Sequence, residues 1–111
     1  MEVTKSEQGA VAILSVKGAI IDEDLDTLDG KFAECVSEGR LKIVLDLESV
    51  PFIDSAGLEK IQETVSDLGK RGGDLCVSSL NDVCGDIFVT TRVDSLVQVF
   101  DDLEAATRSL Q

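Results

Sequence analysis

Ile43-Val44-Leu45-Asp46-Leu47-Glu48-Ser49-Val50-Pro51-Phe52-Ile53-Asp54-Ser55-Ala56-Gly57-Leu58 is the stretch on which the fold turns. Leu41 to Leu47 is a near-continuous apolar run, the mark of a central strand covered on both faces. Pro51-Phe52-Ile53 reads as a loop, because proline breaks either kind of element. Beyond it the spacing changes. Leu58, Ile61, Val65 and Leu68 recur at helical intervals and predict a helix from near Ser55 to about Lys70, with those four side chains facing the sheet. Asp54-Ser55-Ala56-Gly57-Leu58 therefore stands where a strand hands over to a helix. At such a helix start, unpaired backbone N–H groups and the helix dipole both favour negative charge. A phosphate on Ser55 is tolerated there and stays accessible, so Ser55 reads as a switch site rather than a catalytic one. Asp54 or Ser55 can cap the helix, a contribution of about 1 kcal/mol. Gly57 either permits close helix–sheet packing or keeps the surface beside Ser55 flat enough for a kinase.

Outward from this stretch, Gly9 to Val16 reads as a strand, with Glu2 to Ser6 as a hairpin arm and the turn at Gln8-Gly9. Gly18 closes that strand. Asp22, Glu23 and Asp24 mark a helix start, and Leu25, Leu28, Phe32, Cys35 and Val36 follow at helical spacing until Gly39. Gly69 and Gly72-Gly73 end the helix that begins near Ser55. Leu75-Cys76-Val77 is a short buried strand, and Asn81-Asp82 caps a helix carrying Val83, Ile87 and Phe88. Val97 to Phe100 is a last strand, and Leu103, Ala106 and Leu110 give a last helix. The order ββαβαβαβα predicts one α/β domain over residues 1–111, a mixed, mostly parallel sheet flanked by helices. In such sheets function gathers at the carboxyl ends of the strands, where Asp46, Asp54 and Ser55 fall.

The charge balance narrows the partners. With 22 acidic residues against 10 basic, the net charge is −12, and no basic face exists to neutralise nucleic-acid phosphates or an anionic membrane. A partner with a basic patch is the natural expectation. The N-terminus is too polar for a signal peptide and no apolar run approaches ~20 residues, so a cytoplasmic protein without membrane insertion is expected. Cys35, Cys76 and Cys84 are an odd count with no C-x-x-C pair, and histidine is absent. Buried, unlinked thiols and no metal or other cofactor are the expectation.

Catalytic readings of the same residues fare poorly. A Ser-His-Asp triad is impossible without histidine. A hydrolase elbow needs Gly-x-Ser-x-Gly, and Ile53 occupies the place of the first glycine. A Ser-x-x-Lys dyad fails because position 58 is Leu, leaving Lys60 as a strained substitute. Asp46 ends a buried strand as a receiver-type phosphoacceptor does. It lacks the paired acids after the first strand and the lysine after a late strand. A serine-dependent enzyme remains the remote alternative to a binding module.

Leu45 to Leu58 resembles the signature of STAS domains, specifically bacterial anti-sigma factor antagonists, and the element order matches over nearly the whole chain. The resemblance implies a small non-enzymatic switch for transcription regulation. In it, Ser55 is phosphorylated by a partner that is both an anti-sigma factor and a serine kinase. The unphosphorylated form binds that partner, and a serine phosphatase resets the switch. It further implies a contact surface of Asp22, Asp54, Ser55, Ala56, Gly57, Leu58 and Glu59. The usual Gly-x-Leu-Asp appears here as Gly18-Ala19-Ile20-Ile21-Asp22, one residue longer, and Arg92-Val93-Asp94 stands where a glycine is common. A constitutive STAS subunit of a stress-signalling or lipid-transport complex is the alternative of another class.

Overall fold

The structure, a computed structural model, describes all 111 residues. Five strands form one sheet in the order β1-β2-β3-β4-β5: β1 Glu2–Gln8, β2 Val11–Lys17, β3 Lys42–Ser49, β4 Asp74–Ser78 and β5 Gln98–Phe100. The first pair is an antiparallel hairpin and the other pairings are parallel. The helices are α1 Leu25–Ser37, α2 Ser55–Lys70, α3 Asp82–Thr90 and α4 Leu103–Leu110. This is the mixed, mostly parallel α/β sheet expected.

Alternation along the central strands divides the core in two. Leu14, Ile43, Leu45, Leu47, Leu75 and Val77 point to one side and pack with Leu28, Phe32, Ile61, Leu68 and Phe88 from α1, α2 and α3. Val11, Ile13, Val44 and Cys76 point to the other side, where Ala106 and Leu110 of α4 cover them. The continuous apolar run of β3 is explained by this double cover. The hairpin is tied to α1 by Lys5, which pairs with Glu34 at 3.1 Å and with Glu38. The three thiols are buried and unlinked.

Several local expectations are corrected. Val65 packs against the core as expected but stays half-buried, and its neighbour Thr64, which the apolar pattern leaves out, is buried beside it. Thr64 can be buried because its hydroxyl donates to the Lys60 carbonyl at 2.8 Å, one turn back. Gly69 lies inside α2 and does not end it. The stop is at Gly72, whose φ of +81° favours glycine; the Gly73 N–H then bonds back to the Leu68 carbonyl at 2.7 Å. Asp22 to Asp24 form a 3-10 turn ahead of α1, without a side-chain cap. The hairpin turn falls at Gly9-Ala10, so β2 runs from Val11 to Lys17. Val97 is buried ahead of β5 and not part of it.

Candidate functional site

The site is built where β2 and β3 end. Their ladder is irregular between Ser15 and Lys17, and the chains meet again as a single parallel bridge, Ile20 with Ile53. The Ile20 N–H donates to the Phe52 carbonyl at 3.0 Å, and the Asp54 N–H donates to the Ile20 carbonyl at 3.1 Å. The 18–22 segment is thereby fastened alongside the loop that precedes α2.

Asp54 completes the fastening. Its Oδ1 accepts from the Gly57 N–H at 2.8 Å, which makes Asp54, not Ser55, the N-cap of α2. Its Oδ2 accepts from the Asp22 N–H at 3.0 Å. One carboxylate thus holds a helix start and a separate loop together. No local pattern relates Asp22 and Asp54, which are 32 positions apart; the family resemblance alone put them on one surface. Despite the extra residue after Gly18, Asp22 stands beside the start of α2.

Gly57 is explained by the same contact. A Cβ at this position would sit 2.7 Å from the Ile20 carbonyl oxygen and 2.9 Å from Cγ2 of both Ile20 and Ile53. Close packing is therefore its role here. Gly57 is buried, so it is not the element that flattens the surface beside Ser55. Leu58 is buried too, and Ala56 is half-buried. Ile20, fully buried, is a component of the site that the sequence reading overlooked; an isoleucine among apolar neighbours carries no signal for it.

Ser55 occupies the first position of α2 and is exposed. Asp54 supplies the side-chain cap, so the Ser55 hydroxyl is left for solvent. Ser55, Leu58, Glu59 and Gln62 border a shallow depression closed on its far side by Thr91 and Val93. Glu59 is one turn along the same helix face as Ser55 and is exposed, as are Asp22 and Glu23. The nearby lysine of α2, Lys60, is committed elsewhere: its Nζ lies 3.3 Å from Asp29 Oδ1 and 3.6 Å from Glu63 Oε2. Burial pulls its pKa down, but those two carboxylates outweigh this and raise it, so it is a poor proton acceptor. The surface around Ser55 is therefore acidic, and Lys60 is not available to it as a base.

Asp46 is half-buried inside β3, three residues before its end at Ser49 and not at the strand's end as the sequence pattern suggested; it lies level with Ser15 and Ser78 on the flanking strands. Its Oδ1 accepts from the Glu48 N–H at 3.3 Å and lies 3.4 Å from the Ser78 hydroxyl. Hydroxyl neighbours, not a second acid, surround it, so the arrangement has no carboxylate pair to share a cation. Burial raises the pKa of all three thiols, that of Cys76 to about 11, which leaves them inert near neutral pH. No helix is long and apolar enough to cross a membrane.

Comparison with known proteins places this geometry. BtrV of Bordetella bronchiseptica, named as a candidate anti-sigma factor antagonist, is 24% identical over 111 residues, 100% of this chain and 96% of its own. A structure from Thermotoga maritima, described in the same terms, superimposes with a TM-score of 0.90 at 24% identity, covering 97% of this chain and 93% of its own. SpoIIAA of Bacillus in its phosphorylated form superimposes with a TM-score of 0.73 at 14% identity, covering 97% of this chain and 99% of its own. A SulP transporter STAS domain from Vibrio cholerae shares the fold as well, at a TM-score of 0.72 and 22% identity over 91% of this chain and 80% of its own. At these identities the structural likeness establishes the fold. The STAS domain family model matches residues 2–106, nearly the full length, and this chain belongs to the STAS domain family.

Proposed function

We propose that this chain is a phosphorylatable protein-binding switch, an anti-sigma factor antagonist. In this reading it binds an anti-sigma factor that is also a serine kinase, through the start of α2, while Ser55 is unmodified. Phosphorylation of Ser55 releases the partner, and a serine phosphatase restores binding. The chain acts by binding and catalyses nothing itself.

The observation that carries the reading is the position of Ser55. It is exposed at the first turn of α2 with its hydroxyl unused, because Asp54 has taken over the cap. The names of the relatives support it, as does the existence of SpoIIAA in a phosphorylated form. The physics follows from charge. A phosphate adds about −1.5 to −2 charges, and the N–H groups at the helix start accommodate it without disturbing the fold. Asp22, Asp54 and Glu59 already make the surface negative. An interface fitted closely around a neutral hydroxyl then loses affinity, because the bulky phosphate has to be desolvated against groups that fit the hydroxyl. The acidic surround also selects a partner with a basic patch. Within the proposed contact surface, Asp22, Ser55 and Glu59 are the exposed members that meet the partner. Asp54, Ala56, Gly57 and Leu58 hold them in place.

The test is to incubate the chain with the cognate anti-sigma factor and ATP and to map the phosphate by mass spectrometry. One phosphate at Ser55, abolished by Ser55→Ala, is expected. No incorporation, or incorporation at another residue, would overturn the switch and leave a constitutive STAS subunit of a larger complex.

A further inference from the structure

On the other side of the Val93–Ser95 turn from Ser55 lies a second surface that the switch does not use. Between α3 and the edge strand β5 runs a groove of about 310 Å³ whose apolar lining includes Phe88, Val89 and Val99. Val89 is 64% exposed and Val99 40%, and both border the same groove. Four carboxylates border the groove: Asp82 and Asp86 from α3, Asp94 from the turn, and Asp101 after β5. Asp82, Asp86 and Val89 are spaced i, i+4, i+7, so acid and apolar groups share one helix face. None of the four acids pairs with a cation of this chain, and no basic residue lines the groove.

The sheet edge beside it is open. β5 pairs only with β4, and the Phe100 carbonyl accepts from the Ser79 N–H at 3.0 Å. Backbone groups alternate in direction along a strand, so the Val99 N–H and C=O point away from β4 and have no ladder partner. Val99 pairs in register with Val77, so its side chain lies on the α3 side of the sheet.

We propose that this groove docks an extended segment of a partner protein whose groove-facing side chains, every second residue, include both apolar and basic ones. The apolar residues cover Val89 and Val99, the basic ones on the same face meet the acidic border, and the backbone meets the free Val99 groups. Charge excludes the other occupants. A second copy carries the same net charge of −12 and the same acidic border, and an anionic membrane is repelled by both. The proposal is independent of Ser55.

The test is a titration of the isotopically labelled protein, followed by amide chemical shifts, with a capped heptapeptide in which lysine and valine alternate at the odd positions and threonine fills the even ones, so that lysine and valine share one face. The same peptide with glutamate in place of lysine is the control. Saturable shifts confined to residues 80–89 and 94–101 are expected with the lysine peptide alone. Affinity should fall about three- to tenfold in the Asp86→Asn, Asp94→Asn double variant, the range for two exposed ion pairs. Val99→Thr should weaken binding while keeping the strand. Ser55→Ala should leave it within about twofold, which separates this surface from the switch. Three results overturn the proposal: no saturable shift at millimolar peptide, shifts that extend evenly over the acidic 22–29 surface, or equal binding of the glutamate peptide. Shifts at the groove that depend on protein concentration without peptide would do so as well, by identifying a second copy as the occupant.

Discussion

Replacing Asp54 with asparagine separates the two roles assigned to this side chain. If Asp54 only capped α2, asparagine would serve nearly as well, because the two are equivalent at that position. The structure gives the carboxylate a second bond, from the Asp22 N–H to Oδ2 at 3.0 Å, in addition to that from the Gly57 N–H to Oδ1 at 2.8 Å. In Asp54→Asn the retained oxygen can serve Gly57, but the amide NH2 then confronts the Asp22 N–H, donor against donor. A hydrogen bond to a charged group contributes about 1.5–3 kcal/mol, and the low end applies because Asp22 is exposed and water replaces part of the loss. Loss of the negative charge at the helix start adds about 0.5 kcal/mol. The sum is about 2 kcal/mol. With an unfolding entropy of about 2.1 cal/mol/K per residue over 111 residues, that lowers Tm by roughly 9 °C. Differential scanning calorimetry measures it, and the amide resonance of Asp22 should move in parallel. An Asp54→Asn variant within about 2 °C of the parent, with Asp54→Ala clearly lower, would refute the clamp and leave a simple cap.

The remaining predictions concern the packing, the thiols and the hairpin. Gly57→Ala forces a methyl against Ile20 and Ile53 and should cost about 1–3 kcal/mol, read as a lower urea midpoint; an unchanged midpoint would show that the close approach is not obligatory. With its pKa near 11, native Cys76 at pH 8 holds about two orders of magnitude less thiolate than a thiol at 9, so alkylation should be slow until urea unfolds the chain. Rapid labelling of folded protein would contradict its burial. Hydrogen bonds from Lys5, then the charge of Lys31, hold the Glu34 carboxyl below its ordinary value. A lowered carboxylate pKa contributes stability above the unfolded value of about 4.3, and this is lost as pH falls through the folded value. Lys5, raised by its hydrogen bonds to Glu38 and Glu34, contributes stability below about pH 10.4 that is lost at higher pH. Thermal unfolding of the parent should therefore lose more stability between pH 5 and 3 than Lys5→Met does, and identical slopes would show the pairing to be idle.

Much of the fold was legible because the apolar pattern changes period at each boundary. Leu41 to Leu47 announced a doubly covered strand, and Leu58, Ile61 and Leu68 announced the helix after it. Thr64 was missed because a threonine does not count as apolar, yet its hydroxyl is satisfied by its own helix. Gly69 was misread as a stop because composition alone cannot tell a glycine inside a helix from one at its end; the left-handed φ of Gly72 decides it. At the site, the residue types around Ser55 were visible and their connections were not. That Asp54, besides capping α2, bonds Asp22, and that Ile20 forbids a side chain at position 57, depends on contacts across more than 30 residues. No local pattern encodes these.

The central claim is that a phosphate on Ser55 controls partner binding without altering the fold. Isothermal titration of the cognate anti-sigma factor with the unmodified protein and with the protein phosphorylated at Ser55 tests it most directly, with circular dichroism of both forms as the control. At least tenfold weaker binding of the phosphorylated form, about 1.4 kcal/mol or more, with superimposable spectra is the result predicted. Equal affinity of the two forms would contradict the switch and reduce Ser55 to the first residue of a helix that Asp54 caps.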